Sequence, residues 1–299
     1  MDHDPHSGHE QGPDLLALLP APALLACVVA YLLLAGRARR RNPVQGWSHW
    51  RTASFAVGAV VLAAALLPPV ATVAHTDFRG HMAQHLMVGM YAPLALVLGA
   101  PVTLALRTLP ARGGRRLTAV LRSRPARILS HPAAGLLLST GSLVPLYFTP
   151  LYDATATRPA LHWLLHAHLL LAGVLFAHAI AGPDPAPGRP GVRARLVYLG
   201  FAIAGHAVVA QLLYGGFWVD VPASVAQRQG GAELMYYGGD IAELLLAAAL
   251  VGTWRPERRD RRPASVPVGL PPVADGVAHP VEHRHRGTGQ HVGRRGLAG

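Results

Sequence analysis

Two histidine pairs carry the first chemical signal in this chain. His81 and His85 are four residues apart, and so are His162 and His166. At that spacing each pair shares one helical face. Two imidazoles so placed can converge on one metal ion. His75 precedes the first pair and His168 follows the second, while Met82, Met87 and Met90 lie beside the first and Met235 comes much later. Imidazole and thioether without thiolate is a ligand set suited to copper, Cu(I) above all. The metal-ligating candidates are His75, His81, Met82, His85, His162 and His166. Methionine in an apolar helix is also ordinary packing material, and a membrane histidine can simply bond a carbonyl, so the structural alternative stands beside the metal one.

A second polar group lies late in the chain. His206 falls roughly 16 Å into its apolar run at 1.5 Å per residue, with Gln211 and Tyr214 further along. Glu233, Asp240 and Glu243 occupy the next run. Buried carboxylates need partners, and His206 and Tyr214 are candidates. They either orient a metal-binding imidazole or form a structural polar seam between two helices. At the amino terminus, His3, His6 and His9 stand among acidic residues. A histidine at position three can hold Cu(II) with the amine and two backbone nitrogens in a square plane; the alternative is a solvated tail in which the histidines carry nothing.

Other chemistries are excluded. Every basic residue is arginine, so there is no Schiff-base lysine and no P-loop lysine. The single cysteine, Cys27, permits no internal disulfide and no Cys-x-x-Cys site. No G-x-S-x-G or H-E-x-x-H motif occurs. The H-x-x-x-H pairs lack the glutamate that would serve as a hydrolytic base. No catalytic residue is assigned, and the expectation is a protein that is not an enzyme.

The elements that position these groups are membrane spans. Of the 299 residues, 51% are hydrophobic and 14% charged, and the mean hydropathy is +0.29. A spanning helix needs about 20 apolar residues. Seven such runs are read, at 14–36, 52–74, 84–106, 132–152, 160–182, 195–219 and 232–254. Prolines within them are tolerable where neighbouring helices satisfy the freed backbone groups. The first run follows a segment with no basic residue and is too long for a signal peptide, so it is expected to remain as the first span.

The net charge of +12 suggests nucleic acid in a soluble protein; here it reads as topology. If loops alternate between two sides, 24 arginines fall on one side and 3 on the other. The positive-inside rule then places the amino terminus outside and the carboxyl terminus inside. Nucleic acid is not an expected partner; the bilayer is. On this map both histidine pairs lie toward the outer face, Asp77, Arg79 and His81 in a short outer loop, and His49, His131, His178 and Asp184 at the inner side. The expected organisation is an outer His-rich tail at 1–13, an all-α seven-helix membrane domain at 14–254, and a disordered Arg-rich tail at 255–299 whose histidines are solvated.

The stretch HMAQHLMVGMYAPLALVLGAPVTLALR, beginning at His81, resembles the signature of the CtaG-type cytochrome c oxidase assembly factors. TPLYD at 149–153, LHWLLHAHLLLAGVLF at 161–176, IAGPDPAPGRP at 180–190 and ELMYYGGDIAELLLA at 233–247 resemble further pieces, the last two of an actinobacterial branch. The resemblance implies a multi-pass protein of the bacterial plasma membrane, needed to make active haem–copper oxidase, with an oxidase subunit as client and copper supplied at the outer face. His81, His85, His162 and His166 match the family's paired histidines. Many members carry Trp-His before the proline where this chain has Phe148-Thr149-Pro150. Two further readings are a haem-b protein with bis-histidine ligation and a transporter of copper or another small ligand.

Overall fold

The structure is a computed structural model that describes residues 20–254. The two tails, with His3, His6, His9 and the carboxyl-terminal histidines, lie outside the described residues. Among the described residues every regular element is helical.

Helix α1 (Pro20–Arg41) is followed by α2 (His49–Leu66), which stops before Pro68-Pro69. A short helix, α3 (Val70–Thr76), comes next. The third span is built from α4 (Phe78–Leu86), a π turn at Met87–Tyr91, α5 (Ala92–Leu98) and α6 (Pro101–Thr108). Two helices, α7 (Ala111–Leu121) and α8 (Arg124–Leu129), then occupy a stretch read from sequence as plain loop. The fourth run divides into α9 (Pro132–Leu136), a second π turn at Leu137–Gly141, α10 (Leu143–Phe148) and α11 (Leu151–Thr157). The last three elements are unbroken: α12 (Pro159–Ala181), α13 (Val192–Gly215) and α14 (Val225–Thr253).

Among the described residues six spans are long and apolar enough to cross a membrane, including Phe78–Thr108 taken as one. A seventh exists if the Pro132–Phe148 and Leu151–Thr157 pieces count together, although they bend by 85°. The expected span at 132–152 is thus a broken one. The reason is Pro150, which has no N–H to give to the helix and disfavours helical backbone at Thr149; Thr149 is extended, with φ −138° and ψ 167°. Two boundaries also differ from expectation. Helix α4 begins at Phe78, so Arg79 and His81 are helical rather than in a loop. Arg37 to Arg41 continue α1.

The two π turns share a cause. Gly89 precedes Pro93 by four residues, and Gly141 precedes Pro145 by four. A proline removes the bond to the carbonyl four residues back and its ring crowds that carbonyl. A widened turn at that point relieves both. At the first one, Gly173 of α12 lies against the Gly89 carbonyl and Pro93, an approach that any Cβ would prevent.

Outward faces carry large exposed apolar side chains along their length, among them Leu33, Val60, Leu171, Phe201 and Leu244. Exposed Trp50, Trp218 and Trp254 stand near helix ends. This is the pattern of a lipid-facing belt with aromatic residues at the interfaces. Inside, one core under the histidine-bearing end joins Met82, Tyr147, Leu213 and Met235. Another, toward the opposite end, joins Ile180, Leu199, Leu246 and Leu250. Helix α14 packs along α13 on one side and α4 on the other.

Candidate functional site

The histidine-bearing end is assembled from three short pieces and one long helix. Asp77 caps α4 by accepting the Arg79 N–H at 2.8 Å, and the Arg79 guanidinium closes on its carboxylate at 2.6 Å. The hydrogen bonds from Arg79 hold the Asp77 carboxyl below its ordinary range. This clasp caps the start of α4, and Gly80 just beyond it lies against the Val73 backbone of α3. Pro159, in the first turn of α12, places His162 and His166 on its next turns.

Three imidazoles meet there. The His75 and His162 ring centroids are 4.7 Å apart, and those of His162 and His166 are 4.3 Å apart. All three line one cavity of about 180 Å³, with Gln84 and Trp163. Burial increases along the series: His75 is exposed, His162 half-buried and His166 buried. The His166 Nδ1–H donates to the His162 carbonyl at 2.9 Å. A carbonyl only accepts, so the proton is on Nδ1 and the Nε2 lone pair is free.

The other candidates stand elsewhere. His81 is enclosed by Phe78, Tyr147 and Tyr152, its Nε2 3.4 Å from the Tyr147 hydroxyl. Met82 is fully buried in the core, where the Tyr147 hydroxyl donates to its sulfur at 3.9 Å. His85 faces a different, deeper cavity together with His206 and Glu243. His168 donates to the Leu138 carbonyl at 3.0 Å. Among the described residues, no three His, Cys, Asp or Glu side chains already stand gathered as a metal-holding set. Imidazole donors with a free lone pair fit copper or zinc chemically, and the rings must turn to converge.

The late polar group divides as well. His206 Nδ1 lies 3.8 Å from Glu243 Oε1, and both residues are buried. Gly239 makes room for this: a Cβ there would fall inside the His206 ring's contact distance. Asp240 is half-buried. Tyr214 and Glu233, expected in the buried seam, are exposed. The inward face of α14 runs through Met235, Gly239, Ala242, Glu243, Leu246 and Leu250, and Glu233 is off that stripe.

Three features escaped the sequence reading. Gln84, between the paired histidines, is 2% exposed and donates to the Ala65 carbonyl at 2.7 Å, tying α4 to the end of α2. A polar residue within an apolar run was its available signal. Tyr147, which covers His81 and Met82, gave no such signal. At the other end, buried Asp184 accepts from Val102 N at 3.1 Å and Thr103 N at 2.7 Å, capping α6 from a distant loop. Arg189 donates to the His178 and Gly182 carbonyls at 2.8 and 2.6 Å and so closes the end of α12. Burial lowers its guanidinium to about 10, still a cation at neutral pH. The GPDPAPGRP segment is therefore a structural clamp.

Fold and site together define a polytopic, all-helical membrane protein with a histidine-lined cavity at one end of the bundle. Residues 29–257 match the family described as cytochrome c oxidase caa3 assembly factor, Caa3_CtaG. The chain belongs to that family, as the motif beginning at His81 implied. It is 33% identical over 258 residues to an uncharacterized protein of Mycobacterium leprae, and 32% identical over 257 residues to uncharacterized proteins of Mycobacterium bovis and Mycobacterium tuberculosis. Each match covers 80% of this chain but 39% of the relative. The chain thus spans about two fifths of the length of the curated relatives it matches. No solved structure matches it.

Proposed function

We propose that this chain is a non-catalytic assembly factor of a bacterial plasma membrane that binds copper as cargo through His75, His162 and His166 and yields it to a cytochrome c oxidase subunit. The observation that carries the reading is the row of three imidazoles in one cavity, graded from exposed His75 to buried His166. An exposed first donor gives the ion an entry, and buried His166 with its lone pair free gives it a seat. The arginine-rich end belongs on the cytoplasmic side, which puts this cavity at the outer face. His81, Met82 and His85 are not among the residues lining this cavity and are not taken as its ligands.

The test is Cu(I) titration of the purified full chain in detergent against a competing chelator, with metal analysis and an optical spectrum. The expected result is about one copper per chain, lost when His75, His162 and His166 are all replaced by alanine. Copper retained in that variant, or lost instead with His81→Ala and His85→Ala, overturns the ligand assignment. A Soret band in place of bound copper overturns the metal reading in favour of haem.

A further inference from the structure

A second cavity, of about 60 Å³, lies deeper in the bundle between α12, α13, α14 and the two π turns. Three of its lining residues are ionisable: His85, His206 and Glu243, exposed by only 5%, 5% and 2%. Each presents one atom with no hydrogen-bond partner, namely His85 Nδ1, His206 Nε2 and Glu243 Oε2. Buried polar atoms are almost always bonded, so three orphans on residues that line one cavity point to an occupant.

A second observation is independent of the first. Both π turns contribute to this wall, Gly89 and Met90 from one, Ser139 and Thr140 from the other. π turns inside helices are frequent at functional sites. No arginine is among the lining residues, and the chain has no lysine. The His206 Nδ1 to Glu243 Oε1 separation of 3.8 Å is longer than a hydrogen bond.

Size and chemistry choose the occupant. The space is far below the several hundred Å³ of an organic-ligand pocket. Water needs about 10–15 Å³ of such space per molecule and two to four polar partners. The three orphan atoms supply partners for a water molecule or two, and the Ser139 hydroxyl, which donates to the Gly135 carbonyl at 2.8 Å, can still accept. A carboxylate at membrane depth without a cation is costly, whereas a carboxylic acid both donates and accepts.

We propose that this cavity is an internal water site in which Glu243 stands as a neutral carboxylic acid, linked through water to His85 and His206, and stores one exchangeable proton within the bundle. Exchange is balanced. The Glu243 O–H bond breaks as its proton passes to the neighbouring water, and that water passes one of its own protons to His206 Nε2, leaving a carboxylate beside an imidazolium. His206 comes from α13 and His85 from α4, while His81 of α4 is engaged with Tyr147. Tyr91 of the first π turn donates to the Gly238 carbonyl at 2.7 Å. His166 of α12 faces the other cavity. Asp240, one turn earlier on α14, is half-buried. The proposal does not rest on copper binding.

Infrared spectroscopy of the full chain in detergent tests it. The unmodified protein should show a protonated-carboxyl C=O band at neutral pH that moves to lower frequency in D2O, because water reaches the O–H. Carbon-13 labelling of glutamate assigns the band without mutation, since Glu243 is the buried glutamate among the described residues. Glu243→Gln should abolish it and Asp240→Asn should leave it. No protonated-carboxyl band at neutral pH, or one that ignores glutamate labelling, overturns the neutral acid. A glutamate band that never shifts in D2O overturns the water.

Discussion

Replacing Gly239 by alanine sets two effects of opposite sign against each other. Alanine in a helix interior gains roughly 1 kcal/mol over glycine. Against that, a Cβ at position 239 would overlap the Cε1 and Nδ1 atoms of His206. The ring is 5% exposed and has no open space to swing into except the cavity it shares with Glu243. Overpacking of this kind costs about 1–3 kcal/mol. The clash wins, and Gly239→Ala is expected to destabilise by up to about 2 kcal/mol. Gly200 supplies the control, because nothing lies within 4 Å of its missing Cβ and it is exposed. Gly200→Ala should be neutral or stabilising by up to about 1 kcal/mol. The assay is unfolding of the micelle-bound chain by added SDS, followed by helical circular dichroism. A gap of about 2–3 kcal/mol corresponds to roughly 30- to 150-fold in the unfolding constant. Equal stability of the two variants would refute the claim that Gly239 holds His206 in place.

Two further outcomes follow from the same contacts. Gln84→Leu keeps the volume but leaves the Ala65 carbonyl without its 2.7 Å donor, so the same SDS titration should show a loss of about 1–3 kcal/mol; an unchanged midpoint would mean that the bond is not holding α4 to α2. Asp77 is depressed by Arg79, so its contribution to stability is complete above the ordinary aspartate value near ~3.9 and is lost as pH falls through its lower folded value. Carbon-13 NMR of labelled aspartate should find that midpoint below ~3.9, and a value at or above it would show that the clasp is open in solution.

The sequence by itself determined that this is a membrane protein of helical spans, because about 20 apolar residues per run leave no other way to satisfy the backbone in lipid. It did not reveal where the helices would be disturbed, since 132–152 was expected as one span, although the residues responsible are plain once the turns are seen. Glycine four residues before Pro93 and Pro145 marks both π turns, and Pro150 marks the break after α10. It named His162 and His166 as a pair, and the two rings do touch. Only the tertiary structure decided which histidines share a cavity. Four-residue spacing places two side chains on one face, but neighbours one turn apart on that face can meet different helices. His81 thus packs against Tyr147 and Tyr152, while His85, a turn deeper, shares a cavity with His206 and Glu243. His75, on a short helix of its own, takes the place beside His162 that the spacing had suggested for His81. Rotation of each helix about its axis, set by packing against all its neighbours at once, is information that no single run of residues contains.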